Sequence, residues 1–361
     1  MKKNKNLSGK KINFALVSVL LLLIPSFLCC NVGTASNPAG VDILQGDFTP
    51  PKLNAIELTD SNHLLLSFSK AVKAQNVEIG TINQKKIEEN LFNQFEELIP
   101  STVSAKTENI LLVSLQKNTQ AGVPYGLRGE VSDKNGNTLN FASCFVGFNE
   151  NIPKLILSEV QTEYAKPKSE FVELYAQTSG NLAGVCIYSA FDGETKRVEL
   201  PSIDVKAGEY IVVHLRKVEE NCITEDGNNL SLSGGAYSSA SRDIWHENTS
   251  ARLGKTDVIL LEERAGGKIM DSLLIAESKY SIWPKDSQAK AAKRAFDSGT
   301  WLDGYNIENA LIADKATTTR TISRQGNLAN AKPCGKSGWI VTASKGASPG
   351  LVNSSIAYTE K

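Results

Sequence analysis

The sequence predicts an all-β protein built as two sandwiches in tandem. Three observations predict it. Apolar or alternating runs of roughly 4–8 residues recur from Asn54 onward. Turn signals rich in Gly, Asn and Asp separate them, with Asn135-Gly136 the strongest local hairpin signal. No long helical period appears in the second half before residue 286.

The 361 residues, 41% of them apolar, suffice for two cores. The 39 basic and 39 acidic residues cancel. The five lysines of the first 28 residues leave the rest of the chain acidic, while residues 284–361 are basic, 11 against 6. This balance does not suggest nucleic acid as a partner. Six cysteines occur (Cys29, Cys30, Cys144, Cys186, Cys222, Cys334), none in a C-x-x-C pair, with three histidines. A zinc site and a cofactor are therefore not expected. If a disulfide forms, Cys222 with Cys334 is the preferred pair, because both lie in loop-like polar stretches.

Residues 1–13 are basic and polar, and residues 14–28 are almost wholly apolar. That is the n-region and h-region of an export signal, and 15 residues is short for a spanning helix of roughly 20. Cys29-Cys30 follows directly and resembles a lipobox, with Cys30 (or Cys29) as the lipidated residue. A lipoprotein-type signal over 1–29 is expected, then a Gly- and Pro-containing tether over 30–50. The partner implied is a membrane, reached through an N-terminal lipid anchor.

The first module, 51–150, shows strand-like runs at Asn54–Thr59, His63–Phe68, Ile110–Leu115, Tyr125–Val131 and Cys144–Phe148. Ile87, Leu91, Phe95 and Leu98 recur at helical spacing, which predicts a short amphipathic helix over Lys85–Leu98, ended by Pro100. Asp133–Asn137 reads as a turn; an EF-hand loop would need Gly and Glu where Thr138 and Cys144 stand. Pro50-Pro51, then Phe68-Ser69-Lys70-Ala71-Val72, and a closing Asp133, Gly136, Asn137, Leu139 pattern resemble bacterial Ig-like domains of the S-layer-protein type. The resemblance implies an Ig-like β-sandwich.

The second module, 154–354, opens with two short strands, Leu155–Val160 and Phe171–Tyr175, joined by a turn holding Pro167. Runs at Gly184–Ser189, Tyr210–His214, Asp257–Leu261 and Lys268–Ile275 follow, bounded by Gly-containing turns. Glu159, Phe171, Glu173, Leu174, Tyr175, Gly184, Gly208, Tyr210, Asp257 and Asp271 fall in the order seen in lamin-tail domains. Ser323-Arg324, Trp339, Ser348-Pro349-Gly350 and Asn353 resemble that family's closing segment. The resemblance implies a second Ig-like β-sandwich. Ala176 and Val185 stand where the family commonly has Asn and Trp.

Two insertions, near 217–250 and 281–319, exceed a minimal domain of that kind. The second contains a predicted basic helix, Ser287–Phe296. Trp245 in the first insertion, Lys290, Lys293, Arg294 and Trp301 in the second, and Arg320 and Arg324 just beyond it interleave aromatic with basic residues and are the candidate ligand contacts. The competing expectation is that the aromatics seal the insertions onto the sandwich.

Glu159, Glu170 and Glu173 invite a reading as paired carboxylates. Glu170 and Glu173 point to opposite faces of a strand. Glu159 and Glu173 can meet across the hairpin, but facing like charges need a counter-ion or a proton. The favoured expectation is structural: each caps a turn or pairs with a nearby Lys or Arg. No G-x-S-x-G elbow and no phosphate-binding glycine loop occurs in the sequence. No catalytic residue and no metal ligand is assigned. The expected role is non-enzymatic binding or scaffolding in a bacterial cell envelope, with a protein or glycan ligand. The alternatives are a secreted hydrolase or nuclease-associated protein using the acidic hairpin and insertion loops, and a polyanion or glycan binder using the basic C-terminal region.

Overall fold

A computed structural model describes residues 47–82, 95–166, 169–191, 197–234, 239–247 and 253–360. Cys29, Cys30 and the export signal lie outside these residues. Residues 48–361 form one compact unit. Among the described residues the chain is β-structure with one α-helix, in keeping with the all-β class the sequence predicts.

The first eight strands are β1 (Leu53–Leu58), β2 (His63–Phe68), β3 (Lys73–Thr81), β4 (Glu97–Ile99), β5 (Ser101–Thr107), β6 (Ile110–Leu115), β7 (Pro124–Ser132) and β8 (Thr138–Val146). They form two four-stranded sheets, ordered β1-β2-β6-β5 and β4-β3-β7-β8. Alternation explains the packing: Leu64, Leu66 and Phe68 of β2 are buried while their neighbours are half-buried. With Ile79, Val113, Leu127 and Phe141 they make one apolar core. The Asp133–Asn137 turn is held by Asp133, whose Oδ1 accepts from the amides of Asn135 and Asn137, both at 2.9 Å.

The predicted helix over Lys85–Leu98 does not reach its expected end. Most of it lies outside the described residues, but Glu97–Ile99 is a strand paired to β3, with Ile79 opposite Ile99. Pairing with a sheet edge overrides the helical spacing there, and Leu98 is left exposed while Ile99 is buried. The run expected at Cys144–Phe148 is the end of a longer strand, β8. Strands β3 and β5 carry mixed polar sequence with too little alternation to be recognised.

The second core is built by β9 (Leu155–Gln161), β10 (Phe171–Ala176), β11 (Gly180–Asn181), β12 (Cys186–Ser189), β13 (Arg197–Glu199), β14 (Asp204–Val205), β15 (Tyr210–His214), β16 (Ser241–Trp245), β17 (Asp257–Glu262), β18 (Ile269–Ala276), β19 (Leu311–Ile312), β20 (Ile322–Arg324) and β21 (Trp339–Val341). A six-stranded sheet runs β16-β15-β10-β9-β20-β21, and a five-stranded sheet runs β13-β12-β17-β18-β19. The helix α1 (Asp286–Asp297) buries Gln288, Ala291, Ala292 and Ala295. Small alanines let it lie close over β17 and β18. The first insertion contributes β16, which pairs in parallel with β15, so that insertion is part of the sheet. Cys144, Cys186, Cys222 and Cys334 are free, so the Cys222–Cys334 disulfide is not formed. Cys334 instead accepts from Arg324 Nη1 at 3.0 Å, while Cys222 is buried.

Candidate functional site

The founding hairpin places Glu159 of β9 directly opposite Glu173 of β10, and neither side chain is exposed. Neither has a basic partner among the described residues. Glu159 accepts from the hydroxyl of Thr321, from Ser323 Oγ at 3.1 Å, and from the amide and hydroxyl of Ser348 at 3.0 and 3.2 Å. Glu173 accepts from Ser158 Oγ at 2.7 Å and from the Gly350 amide at 2.6 Å. The two carboxyls thus hold the closing segment against the central strands β9 and β10. Asn353 completes the clasp by donating to the carbonyls of Ser158 and Arg324, both at 2.9 Å.

Burial, with the Glu159 charge as the second cause, pushes Glu173 up to about 8. Burial raises Glu159 as well, against its donors. Four donors favour the charged form of Glu159, so the retained proton sits on Glu173. The charge conflict is resolved by a proton, one of the two ways the sequence leaves open, and neither acid pairs with Lys or Arg among the described residues. Only Glu170 meets that expectation, in a two-pronged pair with Arg216 at 2.8 and 3.0 Å.

Gly350 has φ 79°, the left-handed region that side chains disfavour. Gly350→Ala is expected to loosen this segment at a cost of about 1–2 kcal/mol. Hydrogen exchange then reports faster amide exchange over 348–353, with β9 and β10 unchanged.

A second buried acid cluster lies under the first insertion. His214 Nε2 is 2.5 Å from Asp243 Oδ1 across the parallel β15–β16 pair. The ring stacks on Trp245 at 3.7 Å between centroids. Burial lowers the imidazole and raises Asp243, so the neutral pair is favoured. Glu225 accepts from the amides of Leu232, Ser233 and Asp243. Like the hairpin acids, these groups order a loop. Each sits at 0% exposure, where no solvent-borne substrate reaches it. Their signal in the sequence was weak, since an isolated His and Asp 29 residues apart carry no motif.

The predicted contact residues are dispersed. Trp245 and Trp301 are buried and seal their insertions, with Trp245 Nε1 donating to Ser233 Oγ at 2.7 Å. Arg324 is 2% exposed and pairs with Asp271. Arg320 lies over the Tyr358 ring at 4.5 Å. Arg294 reaches back to Glu262 at 2.7 Å. Lys290 and Lys293 stay exposed on α1, with Lys293 paired to Asp297 at 2.6 Å.

A surface cleft of about 490 Å³ lies between the two cores. Ile56, Leu58 and Phe148 give it an apolar wall, and Glu57, Glu199 and Glu263 give it charge. Arg264, also in its lining, is held over the Phe148 ring at 4.3 Å. Asn149 ties the junction by donating to the carbonyls of Asn181 and Ala183 at 2.6 and 3.0 Å. A shallow opening with an apolar wall and several carboxylates can hold a ligand carrying donors. It assembles no nucleophile with a base. Among the described residues no cluster of His, Cys, Asp and Glu could hold a metal.

Residues 153–341 match the family model TP_1001_2nd, described as "protein second domain", which is more than half of the chain. The chain belongs to this family. The matched stretch runs from just before β9 to the end of β21 and so contains both buried acid clusters. An "Uncharacterized protein" of Treponema pallidum (strain Nichols) is 28% identical over 250 residues. That match covers 63% of this chain and 63% of the relative's own length. Among solved structures, the S-layer protein SbsC is similar at 12% identity, covering 45% of this chain and 32% of that one, with a TM-score of 0.24. Its N-terminal part is similar at 13% identity, covering 63% and 44%, with a TM-score of 0.23. Similarity at those scores carries no argument about role.

Proposed function

We propose that this protein is an exported, lipid-anchored component of a bacterial cell envelope that binds or scaffolds and does not catalyse. In this reading residues 1–29 are the signal and 30–50 a tether. Residues 51–150 are an Ig-like module, and 154–354 a lamin-tail-like sandwich that carries the insertions. The observation that carries the non-enzymatic reading is the fate of the acidic residues. Glu159, Glu173, Asp243 and Asp271, the groups from which acid–base chemistry would be built, are buried and occupied in holding the fold. What faces solvent is a cleft suited to binding. The ligand class is protein or glycan. A polyanion or glycan contact on the second insertion is favoured by one observation, the half-exposed pair Phe296 and Tyr305 with Lys293 Nζ at 5.9 Å from the Tyr305 ring.

The anchor is tested by labelling cells with radioactive palmitate. The wild-type chain is expected to take up label and to fractionate with membranes, and Cys30→Ala to lose most of both. If a Cys29→Ala, Cys30→Ala double variant is labelled as strongly as wild type, the anchor is not there. External protease then asks whether the anchored chain faces outward, where a binding module needs to be.

A further inference from the structure

The outer edge of β8 is a surface built to accept another strand. β8 lies at the end of its four-stranded sheet and pairs with β7 over nine residues without a register shift. The register continues past the strand, where the Gly147 amide donates to the Val123 carbonyl at 2.8 Å. That bond fixes the parity of the ladder. In an antiparallel pair the residues that bond their partner alternate with residues whose N–H and C=O point away. Odd positions of β8 therefore face β7. Thr138, Asn140, Ala142, Cys144 and Val146 direct their backbone groups outward. No described residue outside the sheet satisfies them.

Natural sheets protect such edges by shortness, bulges, charge or cover. The other edges of this protein use those devices. β1 carries Glu57 and an irregularity at Leu53/Ala55. β5 carries Lys106 and an irregularity at Ala105/Thr107. β4, β13 and β21 are three residues long, and β19 is two. β16 contains Arg242 and Asp243. β8 has none of these. Its sequence, TLNFASCFV, holds no charge and no proline over about 30 Å of regular strand.

We propose that β8 pairs antiparallel with β8 of a second copy of this chain, about a two-fold axis at Ala142. The occupant follows from the strand itself. Two copies meeting antiparallel about Ala142 set that residue against itself and every other outward residue against a different one, and since the strand carries no charge no ionised side chain is brought to the seam from either copy. Centring the axis on Ala142 places Asn140 opposite Cys144 and Thr138 opposite Val146. That register satisfies all five outward residues, and any other shift of two leaves some unpaired. The two four-stranded sheets then become one continuous sheet across the dimer. The proposal does not depend on how the N-terminus is anchored.

The test is oxidative cross-linking of the full chain in cells, read on non-reducing gels. In a Cys144→Ser background, Ala142→Cys is expected to form a dimer of twice the monomer mass. Opposed bonded residues lie about 5.5 Å apart between Cα atoms, within disulfide reach. The Cys144→Ser chain alone should give no such band. Neither should Lys134→Cys in that background, since that position is in the turn before β8. Adding Asn140→Lys to the Ala142→Cys chain should cut the band at least tenfold while thermal unfolding of the variant stays at the wild-type temperature. Absence of the Ala142→Cys dimer overturns the proposal. So does a dimer that Asn140→Lys leaves at full strength, or equal cross-linking from Lys134→Cys.

Discussion

Arg324→Met should destabilise the second module by about 3–5 kcal/mol, because it strands a buried carboxylate. The guanidinium is 2% exposed and each of its three nitrogens donates a hydrogen bond. Nε donates to the Leu157 carbonyl at 2.7 Å, Nη1 to the Lys332 carbonyl at 3.3 Å and to Cys334 Sγ, and Nη2 to Asp271. Its plane lies 4.6 Å from the centre of the Trp339 ring. One side chain thereby joins β9, β18, β20 and the segment leading to β21. Asp271 also accepts from the Leu157 amide at 2.8 Å, so both members of the pair grip the same residue of β9. Burial raises Asp271, and the Arg324 charge is the largest opposing cause. Without Arg324 the carboxyl takes up a proton on folding, and stability then falls as pH rises above the ordinary carboxylate range. Urea unfolding of Arg324→Met should show a lower midpoint with an unchanged slope. Adding Asp271→Asn should recover most of the loss, since an amide still accepts from Leu157 and carries no charge. If the double variant is as weak as the single one, the damage lies in lost packing on Trp339 and not in the stranded charge.

Much of this arrangement was legible in the sequence and some was not, for physical reasons. Strands with alternating or continuous apolar residues, such as His63–Phe68, Ile110–Leu115 and Tyr210–His214, announce themselves because burial of one or both faces imposes the pattern. β3 and β5 carry Gln, Asn, Ser and Lys at outward positions and hide in turn-like composition. The acidic hairpin was visible as Glu159 facing Glu173, and so was the need for a proton or counter-ion. The donors were not, because Ser348 and Gly350 lie 189 and 177 residues away in the chain. Arg324 shows the limit most clearly. A basic residue near aromatics reads as a surface contact in one dimension, and only the fold reveals that its partner Asp271 is buried beside it.

Glu173→Gln should flatten the protein's stability against pH. The native carboxyl titrates at about 8 instead of the usual 4.5, through burial and then the facing Glu159 charge. Between those values the folded state keeps a proton that the unfolded chain has released. The native state then binds more protons than the unfolded one, so stability falls as pH rises across the window. The full difference is about 4–5 kcal/mol between the two limits. Asp257, pushed by burial to about 7, adds loss of the same sign, so only the difference between variant and wild type isolates Glu173. Glutamine fits the site as the protonated acid does. Its carbonyl accepts the Gly350 amide and its amide donates to Ser158 Oγ, leaving the Ser158 hydroxyl to donate to Asn353, where it now lies at 3.3 Å. Urea midpoints at pH 5 should therefore match wild type, and at pH 9 the variant should be the more stable by a few kcal/mol. Parallel stability curves from pH 5 to 9 would mean that Glu173 folds already ionised. The closing segment would then be held by two facing like charges that geometry alone makes costly, with no cation among the described residues near enough to offset them.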